Sequence, residues 1–157
     1  MDILARLESL GLTLPQAPKP IASYVPAVLE NGLMVVSGQL PMLDGKLIAT
    51  GAVPSACSLE QAQLAARQCV LNGLAIAGAT LDGDWSRLGR VVRVGVFVQS
   101  DAGFDQQAKV ANGASDLLLE ILGEAGRHAR AAVGVNALPL NASVEVEFMF
   151  AVRTPGK

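Results

Sequence analysis

Apolar residues near the start of the chain recur at helical spacing. Ile3, Leu4, Leu7 and Leu10 precede Gly11, and this spacing predicts a first helix of about ten residues. The stretch LPQAPKP that follows carries three of the eight prolines, so it predicts an extended connector.

Two longer stretches also show helical periodicity. Ser58 and Gln61 form an N-cap and capping-box pattern, and the apolar and alanine positions after them predict a central helix about 30 Å long. The stretch FDQQAKVANGASDLLLEILGEAG returns to helical spacing, and Gly123 or Gly126 is expected to end that helix.

The remaining apolar segments have the pattern of β-strands. Asn31-Gly32 and Asp44-Gly45 are short-turn signals flanked by apolar residues, which predicts a hairpin and a third, short strand. RVVRVGVFVQS predicts a strand between the two long helices. The segment from Gly126 to Phe150 alternates apolar and polar residues, and we interpret it as a closing β-hairpin.

This order of elements predicts an α+β fold in which both long helices pack on one face of a mixed sheet. We expect one domain over residues 1–157, with the N-terminal helix and connector in residues 1–20 and the core in residues 21–153. The other face of the sheet would lack cover, so its apolar residues predict an oligomer.

Composition excludes several classes of function. The chain is 51% hydrophobic and 17% charged, and its net charge of −2 without a basic run disfavours nucleic-acid binding. It contains no apolar run long enough to span a membrane and no signal-peptide pattern, so we expect a cytoplasmic protein. Cys57 and Cys69 form no CxxC pair, and we interpret both as small apolar residues.

Motifs for cofactors and metals are missing from the sequence. The glycine pairs form neither GxGxxG nor a Walker loop, no GxSxG elbow is present, and a single histidine argues against a His-rich metal site. We therefore expect no bound cofactor and no metal.

The charged residues of the closing segment are the main candidates for chemistry. Arg130 lies near its start, and Glu145 and Glu147 lie where its second strand begins. An arginine at such a position is most often a solvated charge or the partner of a nearby carboxylate, and at least one of two glutamates on the same strand face is expected to be merely exposed.

The stretch HARAAVGVNALPLNASVEVE, together with YVPAV…MVVSGQLP and RVGVFVQS, resembles the RidA family, also called the YjgF/YER057c/UK114 family. The resemblance runs from Tyr24 to Arg153. It implies a chorismate-mutase-like α+β fold and a homotrimer with three clefts between subunits. It also implies hydrolysis of reactive 2-imino acids to 2-oxo acids and ammonia.

The resemblance also implies roles for individual residues. Arg130 would hold the substrate carboxylate and Glu145 would transfer protons, with Tyr24 as a second catalytic residue beside it. Asn112 and Gly38, the latter in the SGQ stretch, would contribute to substrate binding. Guanidinium is the side chain that can grip a carboxylate with two parallel hydrogen bonds, and a partly desolvated glutamate can act as both base and acid.

The chain departs from the family pattern at three places. Ala132 replaces the usual cysteine, and His128 replaces the usual proline. The second long helix and the segment that leads into it are longer than in the family. These departures leave open a trimeric protein that binds small carboxylate metabolites without turnover. A ribonuclease or translation inhibitor, as older family labels suggest, is the weakest alternative because the chain has no basic stripe.

Overall fold

The computed structural model describes residues 2–17 and 24–153 of the chain. Its helices and strands follow the predicted order, except that two short strands, instead of one, follow the first hairpin. They are α1 (Ile3–Ser9), β1 (Ala27–Glu30), β2 (Leu33–Gln39), β3 (Met42–Leu43), β4 (Lys46–Leu47), α2 (Leu59–Thr80), β5 (Leu88–Gln99), α3 (Gln107–Leu122), β6 (Ala129–Val135) and β7 (Val144–Val152). Residues 18–20, the last part of the predicted connector, lie outside the described residues.

Local sequence signals define the ends of these elements. The predicted capping box of α2 is present, with the Ser58 hydroxyl accepting from the Gln61 amide at 3.1 Å and the Gln61 side chain accepting from the Ser58 amide at 2.9 Å. Helix α3 ends at Gly123, whose φ of 58° suits glycine. Helix α1 is shorter than expected, because it ends at Ser9 and Leu10 caps it.

Both predicted turns connect antiparallel strands. Asn31 and Gly32 have φ of 49° and 77°, and they join β1 to β2. Asp44 and Gly45 have φ of 49° and 76°, and they join β3 to β4 in a separate two-stranded sheet. Positive φ at both central residues gives the turn a twist that matches the flanking strands.

The main sheet has the order β1-β2-β7-β5-β6 and is antiparallel except for the parallel pair β5 and β6. The predicted closing hairpin is therefore wrong, because β5 lies between β6 and β7. Residues 136–143 connect the two strands by a longer path that includes a short 3₁₀ turn at Pro139–Asn141, instead of a two-residue turn. Strand β7 takes the centre of the sheet, where it pairs with β2 and β5.

Helices α2 and α3 cover one face of this sheet, as predicted. Along β7 every second residue is buried beneath them, from Val144 to Val152, while Glu145 and Glu147 project from the opposite face. We call this opposite face, which bears Glu145 and Glu147, the open face. No other element of the described residues covers it, and exposed apolar side chains lie on the same sheet, namely Val28, Leu33, Val35 and Val133, each 41% to 53% exposed.

No helix among the described residues is both long and apolar enough to cross a membrane.

Candidate functional site

The side chain of Arg130 lies at the edge of the sheet, against α3. Arg130 pairs with Val94 of β5, whose side chain is buried on the helix-covered face. The Arg130 Nη1 donates to the Asn112 Oδ1 at 2.9 Å and to the Ser115 Oγ at 3.0 Å, and Nη2 donates to the Ala108 carbonyl at 3.4 Å. Helix α3 therefore holds the guanidinium with neutral acceptors, and the structure brings the predicted residues Arg130 and Asn112 together.

The charge of Arg130 has no carboxylate partner within the described part of the chain. Three ion pairs join side chains there, and Arg130 belongs to none of them. Arg130 is exposed to solvent. An exposed guanidinium that is oriented by hydrogen bonds but not neutralised is available to a carboxylate from outside the subunit.

Glu145 lies on the open face, where Gly38 of β2 makes room for it. A Cβ built on Gly38 would contact the Glu145 Oε1 and would lie 2.9 Å from its Cδ and 3.2 Å from its Cγ. Any side chain at position 38 would displace this carboxyl group. The structure thus brings the predicted residues Glu145 and Gly38 into direct contact.

The surroundings of Glu145 favour its protonated form. Partial burial raises the pKa of its carboxyl group above the ordinary value of 4.5, and the nearby charge of Glu147 raises it further. A raised pKa makes the ionised carboxyl group a stronger base, and the same group can later return the proton that it accepts.

Glu147 occupies a different electrostatic position from Glu145. Its carboxylate lies over Gly95 of β5, with Oε1 2.5 Å from where a Cβ would stand, and it forms an ion pair with Arg93 at 2.7 Å. Glu147 therefore has a cationic partner in Arg93, whereas Glu145 has none among the described ion pairs. Of the two glutamates, Glu145 is the one suited to proton transfer.

Tyr24 lines a cavity of about 720 Å³ that Gly38 also lines. This cavity lies between the end of β2, the β3-β4 hairpin and α2, and its wall includes Leu40, Met42 and Ile76. The Tyr24 side chain is 65% exposed. Tyr24 and Gly38 thus share one concave surface.

Arg130 and Glu145 do not meet within one subunit. Arg130 is in register with the buried Val94 on the helix-covered face, while Glu145 is in register with Phe97 on the open face. Strand β5 also separates the strands that carry them. One subunit therefore carries two separate candidate half-sites, one formed by Arg130 and Asn112 and the other by Glu145 and Gly38.

Ser115 is a further candidate residue, which the sequence analysis did not predict. It contacts Arg130, and its Oγ also lies 3.0 Å from the Nε2 of His128. Ser115 follows Asn112 by three residues in a predicted helix, and residues three apart lie on the same helix face. This spacing could have indicated that Ser115 lies beside Asn112. Ala132, at the position of the family's usual cysteine, packs against the core.

The described residues contain no group of three or more histidine, cysteine, aspartate or glutamate side chains that could hold a metal ion. Cys57 and Cys69 are free and buried, which agrees with their interpretation as small apolar residues. Burial, and then the charge of Glu145, raises the pKa of the Cys69 thiol well above its ordinary value. This thiol therefore stays protonated and unreactive.

Comparison with known proteins places the chain in a family. A family described as "YjgF/chorismate_mutase-like, putative endoribonuclease" matches residues 4–152. Protein TCP17 of Trypanosoma cruzi is 45% identical over 146 residues, which cover 92% of this chain and 91% of that protein.

Solved structures agree with this match. The protein Atu1372 of Agrobacterium tumefaciens has a TM-score of 0.90 and 47% identity, with 96% of this chain and 92% of that chain covered. TdcF of Escherichia coli with bound serine has a TM-score of 0.64 and 25% identity, with 88% and 94% covered. The α+β fold, the match over nearly the whole chain and the 45% identity together show that the chain belongs to the YjgF/chorismate mutase-like family.

Proposed function

We propose that this protein hydrolyses 2-imino acids to 2-oxo acids and ammonia in clefts between the subunits of a homotrimer. One observation carries the proposal: an oriented guanidinium, without an ion-pair partner among the described residues, and a carboxyl group with a raised pKa lie on opposite faces of the same sheet. A complete site from these two groups requires a second copy of the chain.

The proposed chemistry assigns each half-site one task. Arg130 binds the carboxylate of the imino acid and so places the adjacent C=N bond in the cleft. Glu145 takes a proton from water as the water oxygen bonds to the carbon of the protonated imine, whose C=N π electrons move to nitrogen. Glu145 then returns this proton to the nitrogen of the resulting carbinolamine. The C–N bond breaks and ammonia leaves as the hydroxyl group loses its proton to water and becomes the C=O of the 2-oxo acid. Tyr24 borders the same cleft and offers a hydroxyl group to water or substrate.

The proposed trimer is supported by the open face of the sheet. A cluster of exposed apolar residues on a sheet that helices cover on one side alone is typical of a surface buried in an oligomer. A closed ring of three copies would set the Glu145 half-site of one subunit beside the Arg130 half-site of the next.

Ammonia release tests the proposed reaction. An amino-acid oxidase generates imines in situ from several amino acids, and the purified protein should accelerate the appearance of ammonia above the oxidase alone. An acceleration that persists unchanged when Arg130 is replaced by lysine would point to a different site. No acceleration with any amino acid would refute the proposed reaction.

Ala132 supports a second candidate, a trimer that binds small carboxylate metabolites without turnover. The family's usual cysteine is absent at this position, and an alanine methyl group offers no chemistry in its place. TdcF, whose structure contains serine, is a relative that holds an amino acid. Calorimetric binding of a 2-oxo acid by a protein without imine turnover would favour this candidate over the deaminase.

The family description also names an endoribonuclease. The net charge of −2 works against this activity, because binding to RNA depends on Lys and Arg contacts to phosphates. Cleavage of single-stranded RNA that depends on Glu145 would overturn this ranking of the candidates.

A further inference from the structure

The structure contains a chain of hydrogen bonds that reaches from Arg130 into the body of the subunit. We propose that Ser115 and His128 are positioning residues, which orient the Arg130 guanidinium so that it presents one defined edge to the substrate carboxylate. This inference rests on the proposed carboxylate-binding role of Arg130.

The direction of each hydrogen bond in this chain follows from its far end. The Nδ1 of His128 lies 2.6 Å from the Gly126 carbonyl oxygen, which can accept but cannot donate, so Nδ1 carries the hydrogen. In neutral imidazole the other ring nitrogen is then an acceptor. With His128 in this neutral form, the Ser115 hydroxyl, 3.0 Å from Nε2, donates to the ring.

This arrangement makes Ser115 an acceptor for Arg130. With its own hydrogen directed to His128, the Ser115 oxygen presents its lone pairs to the guanidinium, and the Arg130 Nη1 donates to it at 3.0 Å. Without an acceptor at position 128, the hydroxyl would be free to rotate, and helical serine hydroxyls commonly turn to a backbone carbonyl of the preceding turn. His128 thus acts on Arg130 through Ser115.

The bonds to Arg130 also decide which edge of the guanidinium is open. Nη1 carries two hydrogens, one of which is donated to Asn112 and the other to Ser115. A carboxylate that forms two parallel hydrogen bonds needs two neighbouring N–H groups, so the edge that includes Nη1 is already occupied. Nη2 donates one of its two hydrogens to the Ala108 carbonyl over a longer distance of 3.4 Å, so its second hydrogen and the Nε hydrogen remain without an acceptor among the described residues. The substrate carboxylate is therefore expected on the edge formed by Nε and Nη2.

The position of His128 explains why this series of hydrogen bonds can form. His128 lies two residues before Arg130, just ahead of β6, and Ser115 lies on the neighbouring surface of α3. The Gly126 carbonyl belongs to the short 3₁₀ turn that follows α3. The hydrogen bonds thus connect the end of α3, the approach to β6 and the guanidinium in one continuous path.

Three variants separate the members of this path. Ser115→Ala removes one of the two acceptors of Nη1 and places a good helix former in α3. His128→Asn keeps a polar group at the position of Nδ1 but removes the acceptor at Nε2. His128→Gln is the matched control, because its amide oxygen can reach the position of Nε2 and accept from Ser115.

The experiment measures binding and turnover together. The Kd for pyruvate, a simple 2-oxo acid, is measured by calorimetry, and KM and kcat are measured in the imine assay. Ser115→Ala and His128→Asn should raise Kd and KM about five- to tenfold, as expected for a lost hydrogen bond to a charged group at an exposed site. The kcat should change by less than about twofold, and His128→Gln should restore Kd to within about twofold of the parent.

The outcomes distinguish this inference from the proposed function. Parent turnover of imines with unchanged Kd and KM in Ser115→Ala and His128→Asn would overturn the inference and leave the function intact. No turnover in the parent, but pyruvate binding that weakens in these variants and recovers in His128→Gln, would refute the function and support the inference. A parent that does not bind pyruvate, or a His128→Gln variant as weak as His128→Asn, would overturn the inference.

Discussion

The contact between Gly38 and Glu145 allows the catalytic assignment to be tested without changing a charged residue. Gly38 has no positive φ, so its backbone conformation accepts alanine. The added Cβ in Gly38→Ala would overlap the Glu145 Oε1 and lie 2.9 Å from Cδ. Because ordinary contact begins near 3.4 Å, the carboxyl carbon must move by roughly 0.5 Å, and its oxygen must move farther.

The expected consequence is a loss of rate more than of binding. A displacement of about 1 Å at a reacting group can cost up to about 100-fold, so Gly38→Ala should lower kcat about 10- to 100-fold. KM should change little, because Arg130 and α3 are untouched. The displaced carboxyl group should become more exposed to solvent, so its pKa should fall toward the ordinary value. The pH profile of kcat should then shift to lower pH.

Gly95→Ala is the matched control for this variant. It makes the same change on the same sheet, but its Cβ would displace the Glu147 carboxylate, which lies 2.5 Å away at Oε1. Ammonia release from imines is measured for both variants, with light scattering and melting temperature to verify assembly and folding. A folded Gly38→Ala variant with parental kcat, or an equal loss of kcat in Gly95→Ala, would refute the assignment of proton transfer to Glu145.

Three further predictions concern the same groups. Glu145→Gln should lower kcat more than it changes KM. Because the pKa of Glu145 is raised in the folded protein, its charged form lowers the stability of the parent above that pKa, so the variant should melt at a higher temperature than the parent near pH 8. This difference in melting temperature should disappear as the pH falls below about 4.5. Equal melting temperatures at both pH values would contradict this. Arg130→Lys keeps the charge but loses the planar fork, so KM should rise about tenfold or more, and an unchanged KM would show that no carboxylate binds there. Light scattering after gel filtration should give a trimer at micromolar concentration, and a stable monomer would refute the intersubunit site.

Short-range chemistry explains why much of the fold was predictable from the sequence. The capping box at Ser58, the two turns at Gly32 and Gly45 and the end of α3 at Gly123 each depend on residues within about four positions of one another. The alternating burial of β7 is likewise a local pattern. The resemblance to the family added Arg130 and Glu145 as candidates, which composition alone would have left as surface charges.

The order of the strands was not predictable in the same way. β6 and β7 follow each other in sequence and alternate like a hairpin, yet β5 separates them in the sheet. Pairing between strands depends on backbone groups that are distant in sequence and on which strand can be buried on its helix-covered face. No local signal in residues 126–150 records that β5 is the partner of both strands.

The sequence by itself determined which residue types are available for chemistry and where the helices and turns begin and end, because those choices depend on neighbours along the chain. Only the tertiary structure decided how these residues act together. Within the described residues it paired Glu147 with Arg93 and gave Glu145 no cationic partner. It also set Arg130 and Glu145 on opposite faces, and it connected Arg130 to His128 through Ser115. These relations join groups on different elements, and the strand register and helix packing that bring them within hydrogen-bond distance are properties of the folded chain as a whole.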